Sequence, residues 1–342
     1  LHTFGLVKKN PAVSVILPVC NAEKTIERSV SSIINQSFQN WELLLLENGS
    51  TDSTPEKCLK LSKSDERIRY YSLEPKGLVH ALNRGILLSK APLIARMDAD
   101  DFSLPERLEK QYQFLQNHPE TGLISGMILF ESEMQDAEGY NAYVHQINQW
   151  KTYDQICRYR FIESPFAHPG VMFRKSLVDL YGLYSTEPVP EDYELWLRWM
   201  NEGVIMDKLD EPILIWNDSP SRLSRNHRHY SQKAFDRVRY YYVAEWLKKN
   251  RNPSLKLYVW GGGKKANQKL KILSRHISLE ISGIIDVKPT QKETKRIHYS
   301  EIPPPGKIFI ISMVSNRGKY AEIESFLESR GYAVEKDFIL AG

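Results

Sequence analysis

Four short apolar runs in the first hundred residues alternate with stretches of helical periodicity, and no other feature narrows the fold as much. Val13–Val19, Trp41–Leu46, Ile68–Leu73 and Pro92–Ala95 are apolar or β-branched and bounded by turn formers, as buried strands are. Between them Ile26, Val30, Ile33 and Ile34, then Pro55–Leu61, then Leu78, Leu82 and Ile86 follow a helical spacing. A β-α-β-α-β-α-β order predicts an α/β domain with a mainly parallel sheet, whose ligands sit at the C-terminal ends of the strands. Polar or acidic turns fall at three such ends: Asn21, Glu47–Asp52 and Asp98–Asp101.

The third turn, Asp98-Ala99-Asp100-Asp101, is the richest in chemistry. If the strand continues into it, the side-chain period of two points Asp98 and Asp100 to the same side. Converging carboxylates repel unless one is protonated or a cation lies between them. Hard oxygen donors in a short Asp-x-Asp suit Mg²⁺ or Mn²⁺, ions usually shared with substrate phosphates. The plain alternative is a helix start, because Ser103-Leu104-Pro105-Glu106 reads as a capping box with an early proline. That alternative accounts for Asp101 and Ser103 but not for Asp98.

At 342 residues the chain is long enough for two domains. No apolar stretch approaches the ~18–20 residues of a membrane span, and the start Leu1-His2-Thr3-Phe4 has no signal-peptide pattern. Cys20, Cys58 and Cys157 are isolated and odd in number, which argues against a disulfide framework and for a cytoplasmic location. Charge is unevenly spread. Residues 1–221 carry 22 Lys/Arg against 31 Asp/Glu, a charge of −9; residues 222–251 carry 9 against 2, or +7; the remainder carries 15 against 9, or +6. An acidic first part beside a concentrated basic segment suits a metal site next to something that meets anions.

After residue 120 the alternation weakens, and no element is assigned until a helix opens at Pro190-Glu191-Asp192 with Leu195, Trp196, Trp199 and Met200 as its apolar stripe. Asn250-Arg251-Asn252-Pro253 reads as a linker. Beyond it, Leu257–Trp260 leads into Gly261-Gly262-Gly263-Lys264-Lys265-Ala266, a second strand ends at Asp286, and a third covers Lys307–Ser312 before an amphipathic helix. The expected organisation is a catalytic domain over 1–225, a basic helical segment and linker over 226–253, and a small Rossmann-like domain over 254–342.

Four ordered segments carry a resemblance: Val13–Cys20 with Asn21, Glu47–Asp52, Gly77–Gly85 leading into Asp98–Asp101, and Glu191-Asp192-Tyr193-Glu194-Leu195-Trp196. His168-Pro169-Gly170-Val171-Met172-Phe173-Arg174 adds a fifth. Together they resemble the family-2 glycosyltransferases of the GT-A nucleotide-diphospho-sugar transferase fold, many of which build bacterial surface polysaccharides. The resemblance implies a nucleotide-sugar donor, a divalent ion (Mn²⁺ or Mg²⁺), and transfer to a saccharide or lipid-linked saccharide with inversion at the anomeric carbon. By matched position it implies Asp100 for the metal and Asp192 for the general base. Pro18, Asn21, Glu47, Asn48, Asp98 and Ala99 fall to the nucleotide sugar, and Asp101 is left to the following helix. The family usually has paired aspartates where this chain has Glu47-Asn48, a departure that unsettles the choice of base. Glu191 and Asp192 also read simply as first-turn acids that complement the helix dipole.

The basic segment admits several readings. Arg222, Arg225 or His227 closes over the donor diphosphate; or the later bases and aromatics, Tyr240–Tyr242 and Trp246, meet an anionic membrane surface peripherally; or they form a solvated helix face with the rings packed inward. No nucleic-acid motif is present. Gly261–Ala266 with Asp286 satisfies the pattern of a dinucleotide-binding turn, with Gly261, Gly263 and Asp286 as a second nucleotide site, or else the turn serves only as scaffold. Two rival functions remain at this point: a sugar nucleotidyltransferase, and a nucleotide- or NAD-responsive regulator with an inactive transferase domain.

Overall fold

The computed structural model describes residues 10–220, 222–287, 296–316 and 318–342, so the opening Leu1–Phe4 read for a leader lies outside the described residues. The chain forms two compact units. The first runs up to Tyr153 and adds Phe166–Glu187 and Gly203–Arg225; the second comprises Asp154–Pro165, Pro188–Glu202 and the chain from Asn226 to Gly342.

The first unit is built on an eight-stranded sheet. Its strands are β1 (Val13–Val19), β2 (Trp41–Glu47), β3 (Ile68–Ser72), β4 (Leu93–Arg96), β5 (Phe102–Ser103), β6 (Thr121–Glu131), β7 (Met172–Arg174) and β8 (Ile205–Asn217). The order is β3-β2-β1-β4-β7-β6-β8-β5. β1 runs parallel to both β2 and β4, and β2 parallel to β3. Both β1 and β2 are buried along their whole length, which explains why they read as continuous apolar runs rather than alternating ones. Helices Ile26–Ile34, Thr54–Ser64 and Leu78–Leu88 supply the crossovers. The strand order reverses at β1, between β2 and β4, and a reversal of this kind opens a crevice at the strand C-termini.

Beyond β4 the sheet is mixed: β7 is antiparallel to β4 and β6, β6 and β8 form a long parallel ladder, and β5 pairs antiparallel with β8. Helices Glu138–Asn148 and Tyr153–Tyr159 lie in the stretch where the sequence offered no clear period. The expected capping box does not form. Ser103 belongs to β5, accepting from Gln36 Nε2 at 3.2 Å, and the next helix starts only at Arg107 with Glu106 as its N-cap. Pairing with β8 extends the backbone through Phe102–Ser103 and so postpones the helix.

The second unit carries a separate all-parallel sheet of β9 (Lys256–Trp260), β10 (Ile281–Asp286), β11 (Arg296–His298), β12 (Ile308–Ser312) and β13 (Phe338–Leu340), ordered β11-β10-β9-β12-β13. This is the doubly wound, Rossmann-like topology. Trp260, Ile285, Ile310, Leu327 and Phe338 form its core. Helix Gln232–Asn250 packs against helix Glu191–Asn201 and against helix Lys264–Leu273. It buries Tyr240, Tyr242 and Trp246, and the two tyrosine hydroxyls are satisfied internally: Tyr240 donates to the Ala341 carbonyl at 2.6 Å and Tyr242 to Glu194 Oε1 at 2.7 Å. The helix that bears Glu191 and Asp192 therefore groups with the second unit rather than with the residues around it in sequence. Among the described residues no helix is long and apolar enough to cross a membrane.

Candidate active site

The three polar turns of the first unit follow β1, β2 and β4, neighbours in the sheet. The first two are tied to each other. Asn21 adopts a left-handed φ of 51°, a conformation that its short polar side chain tolerates. Its N–H donates to Ser50 Oγ at 3.0 Å, and its Oδ1 accepts from the Thr51 N–H at 2.8 Å. Glu47 is buried and caps its own turn, accepting from the Ser50 N–H at 2.5 Å and from Ser72 Oγ at 3.3 Å. Pro18 is buried in β1 opposite Leu46, and the next residue, Val19, accepts the Asn48 N–H at 3.0 Å. Asn48 Oδ1 is then left buried with no hydrogen-bond partner, an acceptor of the kind a ligand N–H or hydroxyl satisfies. Gly49 is required for the turn itself: its φ is 82° and an added Cβ would lie 2.5 Å from Pro75 Cβ.

The third turn brings Asp98, Asp100 and Asp101 together, each with an oxygen within 4.8 Å of the others. Strand periodicity is not the cause, since β4 ends at Arg96 and Asp98–Asp101 with Ala99 lie beyond it. Tertiary hydrogen bonds hold the turn instead. Ser29 Oγ donates to the Asp98 carbonyl at 2.8 Å, and Asn217, at the end of β8, grips the other side. Asn217 Nδ2 donates to the Asp100 carbonyl at 2.8 Å and its N–H to Asp101 Oδ1 at 2.9 Å. Asp101 is thus not a helix cap. It is buried within the cluster, and its Oδ2 has no hydrogen-bond partner.

Electrostatics separate the three carboxyls. Burial works against the Asp98 charge, but the Arg96 guanidinium bonded to it, with His168 and Arg222, holds its carboxyl below the ordinary value. Burial and the neighbouring Asp98 push Asp100 up to about 6. Burial, then Asp98 and Asp100, push Asp101 well up. Behind the turn Arg107 is fully buried and donates to the Arg96 carbonyl at 2.7 Å; burial lowers it to about 9, against the opposing pull of Asp101. His168 Nε2 is hydrogen-bonded to the Tyr184 hydroxyl at 2.8 Å. Asn217 and Arg107 escaped the sequence reading as parts of this site. Asn217 lies 116 residues from Asp101, and no local pattern joins them.

The two arginines expected near a diphosphate differ in their surroundings. Arg222 stacks over Trp216 at 3.6 Å and donates to the Asn217 carbonyl at 3.3 Å. Arg225 is held bidentate by Asp218, at 3.0 and 2.6 Å, and also reaches Asp136 at 3.2 Å.

In the second unit, helix Glu191–Asn201 starts after Pro190 with Glu191, Asp192 and Glu194 in its first turn. Glu191 is buried and accepts from the Tyr230 hydroxyl at 2.7 Å; Asp192 is only half-buried, with Oδ1 on the Tyr193 N–H at 2.7 Å. At the glycine turn, Gly263 caps helix Lys264–Leu273 and Gly261 has a φ of 122°. Asp286 does not stand clear of this turn: its Oδ2 accepts the Gly262 N–H at 3.1 Å, and Arg296 donates to the Gly262 carbonyl at 3.1 Å. A Cβ at Gly262 would sit 2.4 Å from Asp286 Oδ2.

Comparison with known proteins agrees with this architecture. The family profile described as "Glycosyl transferase family 2" matches residues 14–181. The O-antigen biosynthesis glycosyltransferase WbnJ of Escherichia coli is 31% identical over 240 residues, covering 69% of this chain and 89% of that protein. The amylovoran biosynthesis glycosyltransferase AmsE of Erwinia amylovora is 31% identical over 193 residues, covering 56% of this chain and 70% of that protein. Among solved structures, residues 1–349 of TarS from S. aureus superpose with a TM-score of 0.54 at 17% identity, covering 77% of this chain and 71% of that one. With these relatives, and with a curled, mostly parallel sheet whose polar turns gather at its strand ends, the chain belongs to glycosyl transferase family 2 and is a glycosyltransferase of the GT-A fold.

Proposed function

We propose that this enzyme transfers a sugar, with inversion at its anomeric carbon, from a nucleotide-diphosphate donor to a hydroxyl of a saccharide or lipid-linked saccharide in bacterial surface-glycan synthesis. WbnJ and AmsE are named for O-antigen and amylovoran biosynthesis, and TarS has been solved with UDP-GlcNAc. The observation that carries the reading is the Asp98–Asp100–Asp101 cluster, whose oxygens lie within 4.8 Å of one another at the C-terminal end of the parallel strands.

These residues fit a divalent cation. The donors are all hard oxygens, they are too close to be ionised together without a countercharge, and one Asp101 oxygen is buried without a partner. Asp100 and Asp101 would hold Mn²⁺ or Mg²⁺, with Asp98 toward the nucleotide. Bound there, the ion would supply positive charge to the departing diphosphate. Asn48 Oδ1 accepts from the base or ribose, while Glu47 and Asn21 hold the two turns that frame it. Arg222 meets the diphosphate, and Arg225, committed to Asp218, orders the segment that presents it. Asp192 takes the proton from the attacking hydroxyl, and Glu191 supports its helix turn through Tyr230. The glycine turn of the second unit is structural in this reading, because Asp286 already occupies its amide.

A panel of nucleotide sugars incubated with Mn²⁺ and a glycan acceptor tests the proposal by release of nucleoside diphosphate. Asp192→Asn is expected to lower turnover by about 10²–10⁴-fold, the usual worth of a general base, with donor affinity retained. Near-normal turnover in that variant would remove Asp192 from the mechanism. Release that persists undiminished in a chelator would remove the metal.

A further inference from the structure

From Trp246 to Leu279 the chain contains nine lysines and arginines and not one aspartate or glutamate. This is the longest departure from charge balance in the sequence, and it falls wholly within the second unit. Helix Lys264–Leu273 lies at its centre. Lys264, Gln268 and Lys271 follow one another at spacings of four and three, so they share one face, with Arg275 two residues past the helix end; all are exposed, as is Lys265. Lys269, on the other side, is buried. Among the described residues Lys264, Lys265, Lys271 and Arg275 make no ion pair. Directly beside the helix, Tyr241 is 44% exposed and its ring meets His276 edge-on at 5.4 Å.

We propose that this face docks the enzyme peripherally on an anionic phospholipid surface. Helix Gln232–Asn250, the first candidate for such contact on its sequence, offers Tyr241 but not Tyr240, Tyr242 or Trp246, which are buried. The acid-free helix offers lysines in the main, point charges on flexible stems. Such a face suits a diffuse field of negative headgroups better than a single phosphate, which calls for converging forks. Tyr241 adds an amphipathic ring of the kind that settles at a membrane–water boundary. The inference is independent of the donor, the metal and the base.

Sedimentation of the full chain with vesicles tests it. Vesicles containing one third phosphatidylglycerol are expected to carry the protein down, and pure phosphatidylcholine vesicles are not. Binding should fall as salt rises. Lys264→Glu/Lys265→Glu/Lys271→Glu/Arg275→Glu together should lower partitioning by more than about a hundredfold, at roughly fivefold for each charge removed. The corresponding glutamine set, a milder change, should retain the fold and still lose most of the binding. Unchanged partitioning by a folded glutamine set would overturn the proposal. Equal binding to neutral vesicles, or preference for single-stranded RNA over anionic vesicles, would also overturn it.

Discussion

Lys208 offers a direct test of how burial sets energetics in this fold. It sits in β8, 7% exposed, with Nζ donating to the Ile147 carbonyl at 2.5 Å and lying 5.3 Å from the Phe166 ring centre. That carbonyl belongs to the last turn of helix Glu138–Asn148, where it accepts the Trp150 N–H at 3.2 Å in place of a donor four residues on. Burial alone pushes the lysine from 10.5 down to about 7, with no carboxylate to oppose it. The drop corresponds to about 5 kcal/mol between the charged and neutral forms. The sign follows from proton counting. Between about pH 7 and 10.5 the unfolded chain binds this proton and the folded chain does not, so folding stability rises with pH by about 1.4 kcal/mol per unit. Below pH 7 both states are protonated and the full penalty remains. Lys208→Met keeps the volume and removes the charge; the Ile147 carbonyl keeps the Trp150 N–H at 3.2 Å, and the lost lysine bond costs about 1 kcal/mol. The variant should therefore be more stable than the parent by about 3–4 kcal/mol at pH 7, an advantage that vanishes toward pH 10. Guanidinium unfolding of both proteins at pH 7, 8.5 and 10, followed by tryptophan fluorescence, measures the difference. Two stability curves that stay parallel across this range would refute the reasoning.

Three further outcomes follow from the first unit. On the proposed function, Mn²⁺ should stabilise the parent by about 2.7 kcal/mol at a hundred times its dissociation constant, and Asp100→Asn should abolish this; a retained melting shift would place the ion elsewhere. Asn217→Ala removes one of the two bonds by which Asn217 grips the carboxylate turn. It should raise the Mn²⁺ concentration needed for half-activation about fivefold, with the melting temperature little changed, as titration of activity against metal will show. Gly49→Ala forces a left-handed φ of 82° on a residue with a Cβ and should cost about 1–3 kcal/mol in urea unfolding.

The readable part of this protein was local. The strands β1 to β4 and their helices follow from runs of seven or fewer residues and from helical spacing, and both patterns survive in the structure within three residues at their ends. The glycine turn and its parallel strands in the second unit were readable for the same reason. From strand order alone came the expectation that Asn21, Glu47–Asp52 and Asp98–Asp101 fall at one end of a parallel sheet.

What escaped the pattern depends on partners far apart in the chain. Asp101 looked like a helix cap because Ser103-Leu104-Pro105-Glu106 follows it. Pairing of Phe102–Ser103 with β8 diverts the backbone, and Asn217 then draws the carboxylate into the cluster. Arg225 looked free to meet a phosphate until Asp218 engaged it from both sides. Asp286 had the spacing of a ribose ligand, yet it closes on the Gly262 amide. Glu191 and Asp192 followed the motif order of the first unit, while the hydrogen bonds and packing of their helix belong to the second. Periodicity reports which side of an element is buried, because that is set within a few residues. Which carboxylate stays charged, which is protonated and which is already spoken for depends on dielectric and on donors that only the folded chain brings within 3 Å.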